Sequence, residues 1–398
     1  MRGSRDIPFF FLWFGAAVSL SEMLAGTLLA PLGLGRALVA IVLGHVIGTT
    51  LLVAAGLIGS RENQSAMGTA GAAFGSAGRR LFATLNVVQL VGWTAIMLAT
   101  GARQFASLAG HLGAVGPVAL WIVVLGLLVA GWAAFARAGV GRLNTVAVAL
   151  LIGLLLAVFV RLFFVPGDGP APMSTSTSMR FGAALELVVV MPLSWLPLVA
   201  DYNRHARNGG VAAVYTWLGY GIGSAWMYAI GLLMALHFGG LDLGALVTGA
   251  PALAAALAVI VLSTVTTTFM DTYSAGVSVR HVVPIASPRV LALVMTAIGT
   301  VIALVAPIAA YEGFLYTIGA LFSPLYAVVL ARYFALGERV DAPGGLAWPA
   351  LGVWAIGVAS YYGFLALDTP IGATLPSFAV TALLYVLSRR VQAIAHAA

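Results

Sequence analysis

Four groups of polar residues interrupt otherwise apolar stretches, and their types suit recognition of a flat, ring-shaped ligand and of a cation. Glu22 stands in FFFLWFGAAVSLSEMLAGTLLAPLG beside Ser19 and Ser21, with Gly26 following. A carboxylate in an apolar segment needs a partner, water or a proton. In LFATLNVVQLVGWTAIMLATGARQF, Gln89 and Trp93 are four residues apart and share a helix face, with Asn86 one turn earlier. A flat indole beside amide donors and acceptors suits a planar heteroaromatic ring. In LELVVVMPLSWLPLVADYNRHAR, Ser194 and Trp195 lie between Pro192 and Pro197. Each proline removes a backbone donor and frees a carbonyl. In LSTVTTTFMDTYSAGVSVR, the hydroxyls of Thr264, Thr267 and Thr268 fall on one face, Asp271 follows a turn later, and Tyr273 and Ser274 come next. Oxygen-rich groups of this kind hold Na⁺.

Each group also has an architectural reading. Glu22 can be a protonated packing residue, the prolines a simple kink, and the threonines can bond back to their own helix. His45, Glu186 and Glu312 read as structural polar residues, and Asp201, Tyr202 and Arg204 as a gate or anchor at a cytoplasmic helix end.

The elements that position these residues follow from composition. Of 398 residues, 62% are apolar and 8% charged, with a mean hydropathy of +1.06. A soluble domain carries roughly a quarter charged residues, so soluble enzyme, nucleic-acid binder and disordered chain are excluded. The net charge of +7 comes from 19 arginines and no lysine. They are scattered singly, which argues against nucleic acid. The absence of cysteine excludes disulfides and thiolate metal sites. No cleavable signal precedes the first apolar run.

Stretches of about 20 apolar residues cross a bilayer as helices. Twelve are predicted: 8–30, 36–59, 81–109, 115–136, 143–166, 181–203, 211–237, 250–280, 289–308, 311–333, 346–367 and 370–389. With both termini in the cytoplasm, 15 arginines fall inside and 4 outside, the bias of the positive-inside rule. The expected location is a bacterial-type cytoplasmic membrane. The small-residue run GTAGAAFGSAG, 68–78, reads as a tight cytoplasmic loop. No nucleotide-binding motif supports ATP-driven transport.

Broken spans one and six are five helices apart, and so are polar spans three and eight. This is the signature of two five-helix repeats of inverted topology: residues 1–168, residues 169–335, and a final pair of helices in 336–398. The expected fold is an all-α polytopic membrane protein of twelve transmembrane helices, with substrate and coupling ion at mid-bilayer between spans one, six, three and eight.

The motifs LWFGAAVSLSEMLAGTLLAPLGLG, SRENQSAMGTAGAAFG, NVVQLVGWTAIM, SWLPLVADYNR and TTTFMDTYSAG together resemble the nucleobase:cation symporter family over nearly the whole chain. Within it the sequence is most similar to the CytX-type branch of hydroxymethylpyrimidine importers, whose substrate is a thiamine precursor. The resemblance implies a LeuT-like fold and symport with Na⁺ or H⁺. It implies that Trp93 stacks on the substrate, with Gln89, Asp271 and Tyr273 as polar contacts. It also implies a Na⁺ site from the Ala17 and Leu20 carbonyls with Thr264, Thr267 and Thr268. Phe269 and Met270 stand where cytosine permeases carry more polar residues.

The substrate-binding set expected is thus Trp93, Gln89, Ser194, Trp195, Asp271, Tyr273, Glu22 and Ser21. No enzymatic cofactor is expected, only a coupling cation, and the chain is expected to act as a monomer in the lipid bilayer. The alternatives are a proton-coupled cytosine or purine permease, with Glu22 or Asp271 carrying the proton, and a membrane-embedded enzyme or channel. The six histidines form no ligand-spaced pair, which disfavours a metal-dependent enzyme.

Overall fold

The computed structural model describes residues 6–110, 113, 116–135, 142–164, 179–246, 249–283, 286–305, 311–339 and 344–397. Among these residues every regular element is helical. The helices are α1 (Pro8–Ala17), α2 (Leu20–Thr27), α3 (Leu34–Glu62), α4 (Ala66–Gly110), α5 (Val118–Phe135), α6 (Arg142–Phe164), α7 (Phe181–Leu193), α8 (Leu196–Asn203), α9 (Gly209–Phe238), α10 (Ala250–Val282), α11 (Pro288–Val305), α12 (Tyr311–Leu330), α13 (Trp348–Leu367) and α14 (Thr374–Ala397). Each of the twelve expected spans falls on one helix or on one broken pair. The outer ends of the spans at 115–136, 143–166 and 289–308 lie outside the described residues.

Two packed groups organise the molecule. In one, α1 and α2 lie along α9, and α3 lies along α7, α8 and α9. In the other, α4 lies along α10, and α5 and α11 pack on both. Helices α12, α13 and α14 pack on one another, and α12 also rests on α7. Glu22, Trp93, Ser194, Trp195 and Asp271 lie where the first two groups face each other.

The first span is sharply broken. Helices α1 and α2 meet at 50°. Val18 leaves the helical region, and extended Ser19 caps α2 by accepting from the Glu22 amide at 3.2 Å. Here Ser-x-x-Glu, a helix-start pattern, interrupts a run whose hydropathy alone reads as one span. Gly26 is not the breaking point. A Cβ on Gly26 would collide with the Tyr228 carbonyl, so this glycine permits close approach of α2 to α9.

The sixth span bends far less than its two prolines suggest. Ser194 (φ −61°, ψ −22°) and Trp195 (φ −89°, ψ −9°) both remain in the right-handed helical region. The segment is a two-residue, right-handed offset between α7 and α8 rather than an unwound stretch. Neighbouring helices supply donors to nearby carbonyls: Gln89 Nε2 donates to Ser194 O at 3.0 Å, Asn86 Nδ2 to Pro197 O at 2.9 Å, and Tyr228 Oη to Leu187 O at 3.0 Å.

The run 68–78 is helical, not a loop. It opens α4, which kinks at Gly75 (φ 79°, ψ 177°) before entering the membrane span. Gly75 is required there twice over, by its positive φ and because a Cβ would collide with the Gly345 carbonyl. Ala77 N donates to Gly345 O and Ala347 N to Phe74 O, at 2.9 and 3.0 Å. The start of the short arm is capped by Asp201, whose Oδ1 accepts from Ala66 N at 3.0 Å. Asp201 is thus an anchor between α8 and the arm that opens α4, and Tyr202 ties α8 to α10 by donating to Met270 O at 2.9 Å.

Candidate functional site

A small, nearly closed cavity of about 10 Å³, room for about one water, lies between the two groups, lined by Ser19, Glu22, Trp93, Met97, Met191, Ser194, Trp195 and Asp271. Its walls come from the α1–α2 break, from α4, from the α7–α8 offset and from α10. Spans one, three, six and eight therefore converge as their anomalies predict.

Trp93 forms one wall and is held in place from behind. Tyr311 and Phe314 pack against it edge-on, with ring centroids 6.0 and 5.4 Å away. Trp195 forms another wall, propped edge-on by Trp13 at 5.9 Å and Tyr220 at 6.1 Å. Trp13 is fixed in turn by donating its indole N–H to Asn203 Oδ1 at 2.9 Å. Rigid aromatic walls suit a planar ring, which stacks without ordering flexible side chains.

The polar capacity of the cavity is small and specific. Asp271 Oδ2 and Trp93 Nε1 are buried without a hydrogen-bond partner, and so is Gln89 Oε1 behind the wall. Buried polar atoms left unpaired are costly, so a ligand carrying a matching donor and acceptor is favoured here. Met97 and Met191 add an apolar, adaptable stretch of wall beside Ser19 and Ser194.

The other expected contacts are placed differently. Gln89 does not line the cavity; its amide nitrogen bonds Ser194 O and, at 3.1 Å, Asn86 Oδ1, so it positions the wall. Ser21 also lies outside the lining, and its carbonyl accepts from Tyr311 Oη at 2.8 Å. Tyr273 packs on Tyr202 and Phe269, away from the cavity. Glu22 borders the cavity, but its two carboxylate oxygens are taken by Tyr220 Oη at 2.8 Å and Ser224 Oγ at 2.5 Å. Asp271 is therefore the carboxyl with an open position.

Of the three threonines expected to bind Na⁺, only Thr267 meets the break in the first span. Its hydroxyl donates to Gly15 O at 3.0 Å and Val18 O at 3.4 Å. The resemblance implied the Ala17 and Leu20 carbonyls, but Ala17 O already accepts from Ser19 N at 2.9 Å. Thr268 turns to Met97 Sδ at 3.5 Å, and Thr264 packs on Gly101 of α4. The reason is register. The three hydroxyls spread over an arc of the helix, and α4 and α1 divide that arc between them. Among the described residues no cluster of three or more His, Asp or Glu is positioned for a metal ion.

Three lining residues fall outside the expected set: Ser19, Met97 and Met191. Met97 carried a usable signal, since it sits one turn beyond Trp93 on the same face. Ser19 carried one in its capping pattern with Glu22. Met191 carried none. Glu186, by contrast, proves structural. Its carboxylate accepts from Tyr361 Oη at 2.7 Å, Thr374 Oγ1 at 2.6 Å and the amides of Ala373 and Thr374 at 2.8 Å, which caps α14 and pins it to α7.

Comparison with known proteins agrees with this architecture. Residues 2–386 match the family described as permease for cytosine/purines, uracil, thiamine, allantoin. The cytosine permease of Escherichia coli (strain K12) is 25% identical over 369 residues, covering 90% of this chain and 86% of that protein. The structure of Mhp1, a nucleobase-cation-symport-1 family transporter, closed with bromovinylhydantoin bound, superposes with a TM-score of 0.80 at 17% identity, covering 97% of this chain and 92% of that one. Inward-facing Mhp1 gives 0.76 at 18% identity, covering 98% and 91%. A substrate-bound, outward-open Na⁺-coupled sialic acid symporter gives 0.68 at 12% identity, covering 96% and 88%. The fold is thus LeuT-like. By its match over residues 2–386 the chain belongs to the family of permeases for cytosine and purines, uracil, thiamine and allantoin, and it is a multi-pass membrane transporter rather than an enzyme.

Proposed function

We propose that the protein imports a pyrimidine-type heterocycle by cation symport, and that hydroxymethylpyrimidine, the thiamine precursor, is its substrate. The observation that carries this reading is the pairing of the Trp93 wall with the open Asp271 Oδ2 in a cavity that Met97 and Met191 also line. An aminopyrimidine stacked on Trp93 donates its amino N–H to Asp271. Its methyl group rests on the methionines without a hydrogen-bonding demand. Cytosine shares the amino group but has no methyl group to rest on the methionines, and its ring carbonyl would take its donor from Trp93 Nε1. The name of the Escherichia coli relative favours cytosine as the second reading.

Na⁺ is the proposed coupling ion, held where Thr267 faces the Gly15 and Val18 carbonyls. In that role the hydroxyl turns its lone pair to the ion and releases both carbonyls to it, which locks α1 against α10. Binding of the ion and of the substrate then tighten each other by the same factor. Transport follows as the group containing α1, α2, α3, α7, α8 and α9 rocks against the group containing α4, α5, α10 and α11. The likeness to both closed and inward-facing Mhp1 supports such a cycle. We assign residues 1–168 and 169–335 to the two inverted halves and 336–398 to an added pair. We place both termini in the cytoplasm, the protein in the cytoplasmic membrane, and the working unit as a monomer.

The test is uptake into proteoliposomes of hydroxymethylpyrimidine, cytosine, uracil, hypoxanthine, hydantoin and allantoin, at equal pH on both sides, with and without an inward Na⁺ gradient. Hydroxymethylpyrimidine accumulates best, and only with the gradient. Accumulation of cytosine in preference, or accumulation indifferent to Na⁺, contradicts the reading.

A further inference from the structure

Helix α12 does not stop cleanly at Leu330. It runs on through a single π-helical turn, Ala331–Ala335, which packs against α14. Leu336 N donates to Ala331 O and Glu338 N to Arg332 O, both at 3.1 Å. Widened turns of this kind recur at functional sites. An open groove of about 410 Å³ lies beside this one, lined by Leu336 and Glu338 after the turn and by Arg389, Arg390, Gln392 and Ala393 of α14. That volume falls in the range of small-ligand sites, about 300–1,000 Å³.

The groove is short of negative charge. Among the described residues Glu338 is the only carboxylate in its lining, and both of its oxygens are engaged. Oε1 accepts from Arg389 Nε at 3.2 Å and Nη2 at 3.1 Å, and Oε2 lies 3.2 Å from Arg332 Nη1. Arg389 Nη1 donates to Gln392 Oε1 at 3.1 Å. A guanidinium has five N–H groups, so Arg389 keeps two to spare. Arg390 is exposed and joins no ion pair among the described residues. Glu338 therefore holds α12 to α14 through Arg332 and Arg389, and this packing makes no use of Arg390.

Arg390 stands instead in an outward-facing apolar stripe. Leu383, Leu387, Val391 and Ile394 recur along one face of α14, and each is more than half exposed. Arg390 comes three residues after Leu387 and four before Ile394, on that same face. A cation with apolar side chains on both sides of it belongs where acyl chains meet headgroups. A phosphodiester carries one negative charge and two free oxygens, which a guanidinium fork meets bidentately. We propose that this groove binds the phosphate of an anionic phospholipid, held by Arg390 and the two spare N–H groups of Arg389, with the acyl chains along Leu383 and Leu387. The lipid then reinforces the far end of α14, whose start is pinned to α7 by Glu186. The site requires only that these spans cross a bilayer and is independent of the solute carried.

The test is native mass spectrometry of the purified full-length protein in detergent, with phosphatidylglycerol, phosphatidylcholine or water-soluble glycerol phosphate added. Wild type retains phosphatidylglycerol in preference to phosphatidylcholine, and glycerol phosphate at equal concentration does not displace it. An arginine near a membrane surface strengthens anionic-lipid binding roughly fivefold, so Arg390→Gln weakens phosphatidylglycerol retention by about that factor. Arg390→Lys recovers part of the loss, and Arg80→Gln, at another exposed arginine, causes none. The Tm of Arg390→Gln in phosphatidylcholine equals that of wild type, which separates lipid binding from folding. Equal retention of the two phospholipids, or of phosphatidylglycerol by wild type and Arg390→Gln, overturns the site. Displacement by glycerol phosphate at equal concentration also overturns it, in favour of a soluble phosphate ligand. A lipid-free dimer that comes apart in Arg390→Gln overturns it in favour of a second copy of the chain.

Discussion

Gln89 Nε2 donates to the carbonyl oxygen of Ser194 at 3.0 Å, joining α4 to the offset in the sixth span across 105 residues of sequence. The bond explains how Trp195 and Ser194 stay at the cavity wall despite two nearby prolines. Replacing Gln89 by Leu leaves a buried carbonyl without its donor, at a cost of about 1–3 kcal/mol. A lowered Tm, read by tryptophan fluorescence in detergent, together with weaker ligand binding, is the expected outcome. An unchanged Tm shows that the wall is held by other contacts.

Asp271 carries an open carboxylate oxygen at the cavity. Asp271→Asn turns an acceptor-only group into a mixed donor and acceptor. Amino-bearing pyrimidines then lose about 1.5–3 kcal/mol of affinity, while uracil, which offers a carbonyl, loses less. A competition-binding panel reads the difference. Equal loss for both ligand types means that Asp271 does not read the amino group.

Thr267 and Thr266 are adjacent but face apart. Thr266 bonds back within α10, to Leu262 O at 2.7 Å, whereas Thr267 reaches the Gly15 and Val18 carbonyls. Thr267→Val shifts the Na⁺ dependence of ligand binding to higher concentration, and Thr266→Val leaves it in place. The pair is compared by ligand titration at stepped Na⁺. The reverse result relocates the cation.

Glu186 satisfies two hydroxyls and two amides at the start of α14. Glu186→Ala unpairs buried donors at about 1–3 kcal/mol each. The protein melts earlier while its ligand affinity is unchanged, as judged by thermal unfolding and by binding below the transition. A change in affinity at an unchanged Tm contradicts the structural role.

Much of this was legible in the sequence, for identifiable reasons. Continuous apolar runs mark the spans because lipid imposes them. Trp93 and Asp271 stand out because indole at mid-depth and carboxylate in a span are both costly without a purpose. What the chain does not reveal is register between helices. Whether Thr267 meets the Gly15 and Val18 carbonyls or those of Ala17 and Leu20 is set by where α1 breaks, and that depends on the Ser19 cap. The direction of Glu22 depends on Tyr220 and Ser224, 198 and 202 residues away along the chain. The helical arm at 66–74 was hidden by its glycines, whose role is to let it dock against Gly345 and Ala347.

The central claim is that the substrate stacks on Trp93. Equilibrium binding of hydroxymethylpyrimidine in saturating Na⁺, to wild type and to Trp93→Ala, tests it most directly. Loss of a stacked aromatic platform costs about 1–3 kcal/mol per base, so the account predicts binding weaker by about 5- to 150-fold in the variant. Equal affinity in the two proteins, with both folded, contradicts it.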